Sequence, residues 1–172
     1  MAEVIKFRYN VSLEETMAFE SVYHENLRYD LAEKRELWET PGALFVWMFV
    51  GEVLVGESYG IPLASFEEPI EGLTALTEKE RKAGIYCYSN TVLPSFQRRG
   101  FGKILKAHWL GLAAGKGFGL VYGHARPGGS QLLNVKFGGV FLGTFPNWYD
   151  TAEDYVLYRL ALNPISGIRP GL

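Results

Sequence analysis

The chain has 172 residues, of which 48% are hydrophobic and 15% are aromatic, and its formal net charge is −2. This length and composition predict one folded domain with a sizeable apolar core and argue against an intrinsically disordered chain. The slightly acidic charge argues against a general nucleic-acid-binding protein, and the longest apolar run, residues 43–50, is too short to span a membrane.

The cysteine, the histidines and the N-terminus exclude further classes of protein. Cys87 is the single cysteine, which excludes an internal disulfide and a metal site built from cysteines. His24, His108 and His124 show no ligand spacing with acidic residues, so we expect no metal. The first residues lack the basic and apolar segments of a signal peptide. We therefore expect a cytoplasmic protein that has neither a nucleic acid nor a membrane as its partner.

The first third of the chain predicts one strand, two helices and a hairpin. Residues 4–9 alternate apolar and polar side chains, as a strand does. Ser12 and Glu15 form a capping box, which predicts a helix from there to about Tyr29. The buried face of this helix is expected to hold Phe19, Val22, Tyr23 and Leu27, and a shorter helix at 31–38 and strands at 43–50 and 53–59 follow.

Residues 62–84 form a polar and acidic excursion between two strands. A second capping box, at Thr77 and Glu80, predicts a short helix within it. Such a segment has three interpretations, namely a role in substrate choice, a lid over a site, and a solvated loop, of which the solvated loop is the default.

A strand, a glycine-rich turn and a helix follow the excursion. Residues 85–93 are rich in aromatic and β-branched side chains and predict a strand, which Pro94 ends. From Gly100 onward apolar residues recur at helical spacing, while Lys103 and Lys106 fall off this apolar stripe. The residues of the stripe are Phe101, Ile104, Leu105, His108 and Leu112.

The last third predicts a parallel crossover followed by antiparallel strands. The segment Gly115-Lys116-Gly117 ends the helix, and residues 120–125 form the next strand. This strand and strand 85–93 are expected to be parallel and joined by a right-handed crossover. A short helix at 129–137, strands at 140–145 and 155–162, and an irregular tail at 163–172 complete the chain.

The turn that opens the helix predicts a seat for a pyrophosphate. The N–H groups of the first helical turn lack internal partners, and the helix dipole adds positive charge at that end. Gly100 and Gly102 let a ligand approach the backbone, and Arg98, Arg99 and Lys103 add cations. We call residues 97–103 the phosphate seat.

Two other phosphate-binding motifs do not fit this turn. Leu105 stands where a dinucleotide-binding fingerprint needs its third glycine. Ile104 follows Lys103 where a P-loop needs Ser or Thr. A glycine turn that binds nothing stays the competing interpretation.

The pattern Val92-x-Pro94 followed by Gln97-x-x-Gly100-x-Gly102 resembles the acyl-CoA-binding motif of the GCN5-related N-acetyltransferases (GNAT). The order of the predicted elements over residues 3–162 is also similar to that of this family. The resemblance implies an α/β (α+β) fold in a single domain, residues 1–162. Its sheet would be mixed and mostly antiparallel, with about seven strands, one parallel β-α-β crossover and about four flanking helices.

The resemblance implies transfer of an acetyl group from acetyl-CoA to an amine, which attacks the thioester directly. The pantetheine arm would pair with the strand backbone at Thr91, Val92 and Leu93. The acceptor, a small molecule or a peptide or protein, is left open, as is a longer acyl donor. The phosphates would contact Gln97, Arg98, Arg99, Gly100, Phe101, Gly102 and Lys103.

The second cofactor segment of the family fits less well, although Ser130 and Asn134 are expected to contact the cofactor. Ser130, Leu133 and Gly138-Gly139 match approximately, whereas Pro127 stands at a position where the family often has Asn, and Asn134 where it has Tyr. Asn134 can hydrogen-bond a leaving thiolate but cannot protonate it, and a thiol of pKa near 8.5 leaves tolerably without an acid. A catalytically inactive member of the fold, which binds CoA or a protein partner, is therefore the second hypothesis.

His124 and Glu57 are the two candidates for the general base. His124 ends strand 120–125, and the ordinary histidine pKa of about 6.5 suits proton removal. Glu57 lies on the second hairpin strand, from which it could act through water. The competing interpretations are a hydrogen-bonded structural histidine and a carboxylate on the exposed side of its strand.

The acceptor is expected to approach from the first two helices and the last strand connection. The loop at 145–150 combines aromatic side chains with one carboxylate, which suits a cationic amine. Homodimers are common in the family, and the many aromatic residues are compatible with one here. The helical residues on the acceptor side are His24, Glu25, Arg28, Tyr29 and Asp30.

Overall fold

The computed structural model describes residues 4–162, which form seven strands and five α-helices. The strands are β1 (Ile5–Arg8), β2 (Leu44–Val50), β3 (Val53–Pro62), β4 (Gly84–Val92), β5 (Leu120–Ala125), β6 (Val140–Phe145) and β7 (Tyr155–Ala161). The helices are α1 (Leu13–Glu20), α2 (Leu31–Glu39), α3 (Glu78–Ala83), α4 (Phe101–Gly115) and α5 (Gly129–Lys136).

All seven strands belong to one sheet, in the order β1-β2-β3-β4-β5-β7-β6. Within residues 4–162 only β4 and β5 pair in parallel, and α4 connects them. The predicted mixed, mostly antiparallel sheet with one parallel β-α-β crossover is therefore confirmed. The predicted tail, residues 163–172, lies outside the described residues. In the described part, every helix is too short or too polar to span a membrane.

Helix α4 packs across β2, β3 and β4 and supplies much of the main core. The prediction that Lys106 falls off its buried stripe is wrong, because the side chain is only 1% exposed while Ile104 is 39% exposed. The buried face is centred on Leu105 and Trp109, and Lys106 lies beside them. The residues that α4 buries are Phe101, Leu105, Lys106, Trp109, Leu110 and Ala113.

Helix α1 begins at the predicted capping box of Ser12 and Glu15 but ends at Glu20, so the prediction of a helix to about Tyr29 is wrong. Side chains bind the backbone after Glu20 and replace helical hydrogen bonds. Arg28 Nε donates to the carbonyl of Tyr23 at 2.9 Å, and His24 Nδ1 accepts from the backbone N–H of Asn26. The chain turns through a 3₁₀ turn at Glu25–Leu27 before α2.

The excursion at 62–84 contains α3, with the predicted capping box of Thr77 and Glu80. It is not a wholly solvated loop, because Leu63 and Leu73 are buried against the sheet. Their neighbours on β4, β5 and β7 are Tyr86, Tyr122 and Leu157. The excursion therefore closes the end of the sheet at which β4 and β5 pair.

Candidate active site

Strands β4 and β5 separate after three residue pairs. They pair from Gly84 with Leu120 to Tyr86 with Tyr122, and not beyond. On its other side β4 stays paired with β3 as far as Val92, but a break in register leaves Tyr88 without a partner on β3. An extra residue of this kind is a β-bulge, which bends its strand and increases the twist. The bulge therefore explains why β4 turns away from β5.

A small polar cleft that is open to solvent lies between the separated strands. Three of its lining side chains carry a buried polar atom without a hydrogen-bond partner: Asn90 Oδ1, His124 Nε2 and Asn134 Oδ1. Buried polar atoms are almost always paired in folded proteins, so these three indicate a site for a polar ligand. The cleft is lined by Cys87, Tyr88, Ser89, Asn90, Lys106, His124, Ala125, Ser130, Leu133, Asn134 and Tyr158.

His124, one candidate base, lines this cleft as a neutral imidazole. Its Nδ1 lies 2.8 Å from the Tyr86 hydroxyl, and its ring stacks on Trp148 with the centroids 3.8 Å apart. Burial lowers the pKa of His124 to about 4, since a charged ring would lose its hydration. When Nδ1 carries the proton, the buried Nε2 can accept one from a ligand, although as a weaker base than an exposed histidine.

The N-terminus of α4, in the phosphate seat, leaves its first amides open. Gly100, the N-cap, has φ 86°, a left-handed conformation that glycine adopts without strain, and it offers no side-chain oxygen to those amides. A Cβ at Gly100 would meet no atom within 4 Å, so space lies in front of the turn. Open amides with space before them are what an anionic ligand needs.

Some side chains of the phosphate seat contact other residues of the protein, and others extend into solvent. Gln97 Nε2 donates to the carbonyl of Val92 at 2.9 Å, so this amide holds the turn against β4. The guanidinium of Arg99 lies over the Phe96 and Phe101 rings, at 5.3 and 5.1 Å from their centroids. Arg98 and Lys103 are exposed beside the turn. Arg99 is exposed as well, so the seat presents three solvent-facing cations.

Asn90 and Asn134 join the cleft to the helices on either side of it. Asn90 Nδ2 donates to the carbonyl of Gly102 at 3.2 Å, which connects the cleft directly to the phosphate seat. Asn134 Nδ2 donates to the carbonyl of Ser130 at 3.1 Å within α5. Each amide therefore uses its nitrogen internally and presents its oxygen as an acceptor.

No family model and no curated protein matches the sequence. Solved structures do match. The ribosomal-protein-S18-alanine N-acetyltransferase from Escherichia coli has a TM-score of 0.70 at 14% identity, over 98% of this chain and 99% of that chain. Ard1 from Thermoplasma volcanium has a TM-score of 0.68 at 16% identity, over 92% and 98%. The yncA protein from Salmonella typhimurium, solved with its cofactor acetyl-CoA, has a TM-score of 0.67 at 13% identity, over 97% and 99%.

The chain has the fold of the GCN5-related N-acetyltransferases. The recognition of a GNAT-like fold from the motif and the order of elements is thereby confirmed. Within residues 4–162 of this GNAT fold, no group of three or more His, Cys, Asp or Glu side chains could hold a metal ion.

Glu57, the other candidate base, is fully buried on the face of the GNAT sheet opposite α4, so the interpretation of an exposed carboxylate is wrong. Lys34 Nζ donates to it at 2.9 Å and Trp47 Nε1 at 2.8 Å. Lys34 also binds Glu20 at 2.8 Å, which makes a buried triad of two carboxylates and one cation. Desolvation outweighs these contacts and raises the pKa of Glu57.

A chain of hydroxyl groups connects Glu57 with the cleft. Tyr23 Oη donates to Glu57 Oε1 at 3.3 Å and lies 2.7 Å from Ser89 Oγ, which lines the cleft. Ser89 Oγ in turn lies 3.0 Å from Thr91 Oγ1. Glu57 therefore does not face the cleft itself but reaches it through Tyr23 and Ser89.

The two segments expected to receive the acceptor touch each other. Asn26 Nδ2 donates to the carbonyls of Tyr149 and Asp150, at 3.1 Å each. The Tyr29 ring meets the Tyr88 ring edge-on, with the centroids 6.1 Å apart, and burial raises the pKa of Tyr88 to about 12. Tyr88, which lines the cleft, therefore keeps its phenol protonated, and Tyr29 packs against it.

The structure brings His124, Ser130 and Asn134 together in one cleft and leaves Glu57 outside it, in a buried network that reaches the cleft through Tyr23 and Ser89. Sequence reasoning missed two lysines. Lys34 lies in a helix of nine residues with five charged side chains, which the sequence presents as a solvated face. Lys106 carried a weak signal, since it follows Leu105 directly in an otherwise apolar helix.

Proposed function

We propose that the protein is an N-acetyltransferase that moves an acetyl group from acetyl-CoA to an amine by direct attack. The observation that carries this proposal is the polar cleft between β4 and β5, which a hydrogen bond from Asn90 to the carbonyl of Gly102 connects to the phosphate seat. A ligand with phosphates at one end and a polar arm at the other fits this continuous path. The GNAT fold favours that class of ligand.

The residues of the path fit coenzyme A by chemistry. The amides after Gly100, with Arg98 and Lys103, supply donors and cations for a pyrophosphate. Strand β4 is extended at Thr91 and Val92, and Leu93 follows directly after it, so these residues lie between the cleft residues of β4 and the phosphate seat. The unpaired oxygens of Asn90 and Asn134 are acceptors for the amide N–H groups of a pantetheine arm.

His124 would act as the general base, and Glu57 would support it. The bound acetyl-CoA would supply an activated thioester. His124 Nε2 lies in the cleft and is free to take the proton that an attacking amine loses. Glu57, with its raised pKa, does not line the cleft and is linked to it through Tyr23 and Ser89. We therefore assign the base to His124 and a supporting role to Glu57.

Calorimetric titration with acetyl-CoA, at low and at moderate salt, tests the proposed donor. We expect saturable binding that weakens as salt rises, because phosphate contacts by exposed cations are screened. The double variant Arg98→Ala/Lys103→Ala should lower the affinity by about tenfold or more. Lys116→Ala, a matched exposed lysine at the other end of α4, should not change it. No binding in protein free of carried-over CoA would refute the proposal.

The second candidate function is that of a catalytically inactive protein which binds CoA or a protein partner. Asn134 favours it, because an amide has no proton to give to a departing thiolate. Thiol release from acetyl-CoA with a panel of small amines and peptides with free N-termini separates the two. Release above the amine-free rate supports transfer, whereas binding without release across the panel supports the inactive form.

The acceptor and the oligomeric state belong to the proposal as well. We propose an amine that enters between the 3₁₀ turn at Glu25–Leu27 and the loop at 145–150, where phenol rings can contact a cation. A homodimer is proposed on the family resemblance alone, and sedimentation of the purified protein tests it.

A further inference from the structure

Lys106 is a buried cation without an anionic partner. Its side chain lies in the core side of α4 and is 1% exposed. None of the ion pairs formed within residues 4–162 involves it, in contrast to Lys34, which holds two carboxylates. A buried ammonium group without a counter-ion is costly, so such a group indicates a function that needs the charge.

The fold fixes the position of the Lys106 ammonium group. Nζ donates to Tyr158 Oη at 3.0 Å and to Cys87 Sγ at 3.5 Å. A Cβ at position 123 would lie 2.6 Å from Tyr158 Oη, so Gly123 is what allows the tyrosine to lie across β5 and reach the lysine. Because an ammonium group has three N–H donors, one remains for a further acceptor.

The ammonium group lines the cleft together with the unpaired oxygens of Asn90 and Asn134. These side chains offer acceptors to a ligand, whereas Lys106 offers a positive charge and a donor. The sulfur of coenzyme A, which becomes negative when a thioester is cleaved, is the group of the proposed cofactor that needs such a donor. Asn134 cannot meet that need with a proton of its own.

We propose that Lys106 binds the sulfur of coenzyme A and stabilises it as a thiolate, an inference that rests on the proposed function. In the transfer the amine nitrogen forms a bond to the acyl carbon, the carbon–sulfur bond breaks, and its electron pair stays on sulfur. The nitrogen gives its proton to His124 Nε2, and the sulfur keeps its negative charge beside the Lys106 ammonium group. Tyr158 and Gly123 act as positioning residues for that ammonium group.

Binding of CoA and of desulfo-CoA, which lacks the sulfur, tests this role without turnover. Both are titrated calorimetrically between about pH 6 and pH 9, in two buffers that differ in ionisation enthalpy, to count the protons released. A free thiol has a pKa near 8.5. If the protein stabilises the thiolate, the affinity for CoA rises as the pH approaches that value, and protons are released when CoA binds. Above about pH 7.5, where the phosphates of both ligands are ionised, desulfo-CoA should show neither effect and should bind about tenfold or more weakly at the upper pH.

Lys106→Met removes the charge at similar volume and should abolish the difference between the two ligands. Lys103→Met, a matched lysine in the phosphate seat, should weaken both ligands equally and keep their difference. A thermal unfolding curve checks that the Lys106→Met variant is folded, and the wild-type comparison stands even if it is not. Equal binding of both ligands by the wild type at every pH would overturn the inference while leaving the proposed function intact. Failure of both ligands to bind would instead refute the proposed function.

Discussion

Replacing Lys34 by methionine removes the cation of the buried triad, and the structure predicts how much stability is lost. The lysine side chain is fully buried and lies 2.8 Å from Glu20 and 2.9 Å from Glu57. Methionine fills a similar volume but leaves two buried carboxylates without a cation, a loss that costs about 3–5 kcal/mol in comparable sites. At about 2–4 °C per kcal/mol for a domain of this size, the melting temperature should fall by about 6–20 °C.

The pH dependence of that loss identifies its cause. Burial already raises the pKa of Glu57, and removal of Lys34 raises it further above the unfolded value of about 4.3. A carboxyl group whose folded pKa is raised contributes stability below its unfolded pKa and loses it as the pH rises through the folded pKa. The variant should therefore be destabilised more at pH 7 than at pH 5.

Urea unfolding followed by tryptophan fluorescence, at both pH values, measures the effect. Lys6→Met is the control, because it breaks an exposed pair with Glu52 and should leave the unfolding midpoint unchanged. A loss below about 1 kcal/mol at pH 7, or the same loss at pH 5, would show that the triad is not buried as described.

Three further predictions use the same unfolding assay. Because burial lowers the pKa of His124 to about 4, wild-type stability should fall as the pH drops from about 6.5 towards 4. The His124→Gln variant should lose this part of the pH dependence and should also turn over more slowly. A pH profile of stability that His124→Gln leaves unchanged would contradict the burial of the ring. Gly123→Ala should cost about 1–3 kcal/mol, because its Cβ would press on Tyr158 Oη at 2.6 Å and on a backbone oxygen at 2.9 Å. Gly100→Ala, at φ 86°, should lower the free energy of unfolding by about 1–2 kcal/mol, whereas Gly111→Ala inside the same helix should raise it by about 0.5–1 kcal/mol. Equal stabilities of the two variants would refute the left-handed cap.

Local signals in the sequence determined most of the elements and the place of the phosphate seat. The capping boxes at Ser12 and Thr77 set the start of α1 and α3. In each box the hydroxyl accepts from the backbone N–H of the glutamate three residues later, and the glutamate carboxylate accepts from the backbone N–H of the capping residue, so no distant residue is needed. Gly100 marks the open start of α4 by an equally local signal, since its left-handed cap is a requirement of the backbone at that residue.

Tertiary structure alone decided which polar side chains are buried and which of them meet. The bulge at Tyr88 depends on the pairing of β4 with β3, and it separates β4 from β5 to form the cleft. Lys106 and Lys34 look like solvated lysines in their helices, because the sequence does not reveal what a helix face packs against. Their burial depends on Tyr158 and Glu57, which lie 52 and 23 residues away along the chain. Local propensity acts over a few residues, whereas the burial of a charge depends on contacts that form only when the whole sheet has assembled.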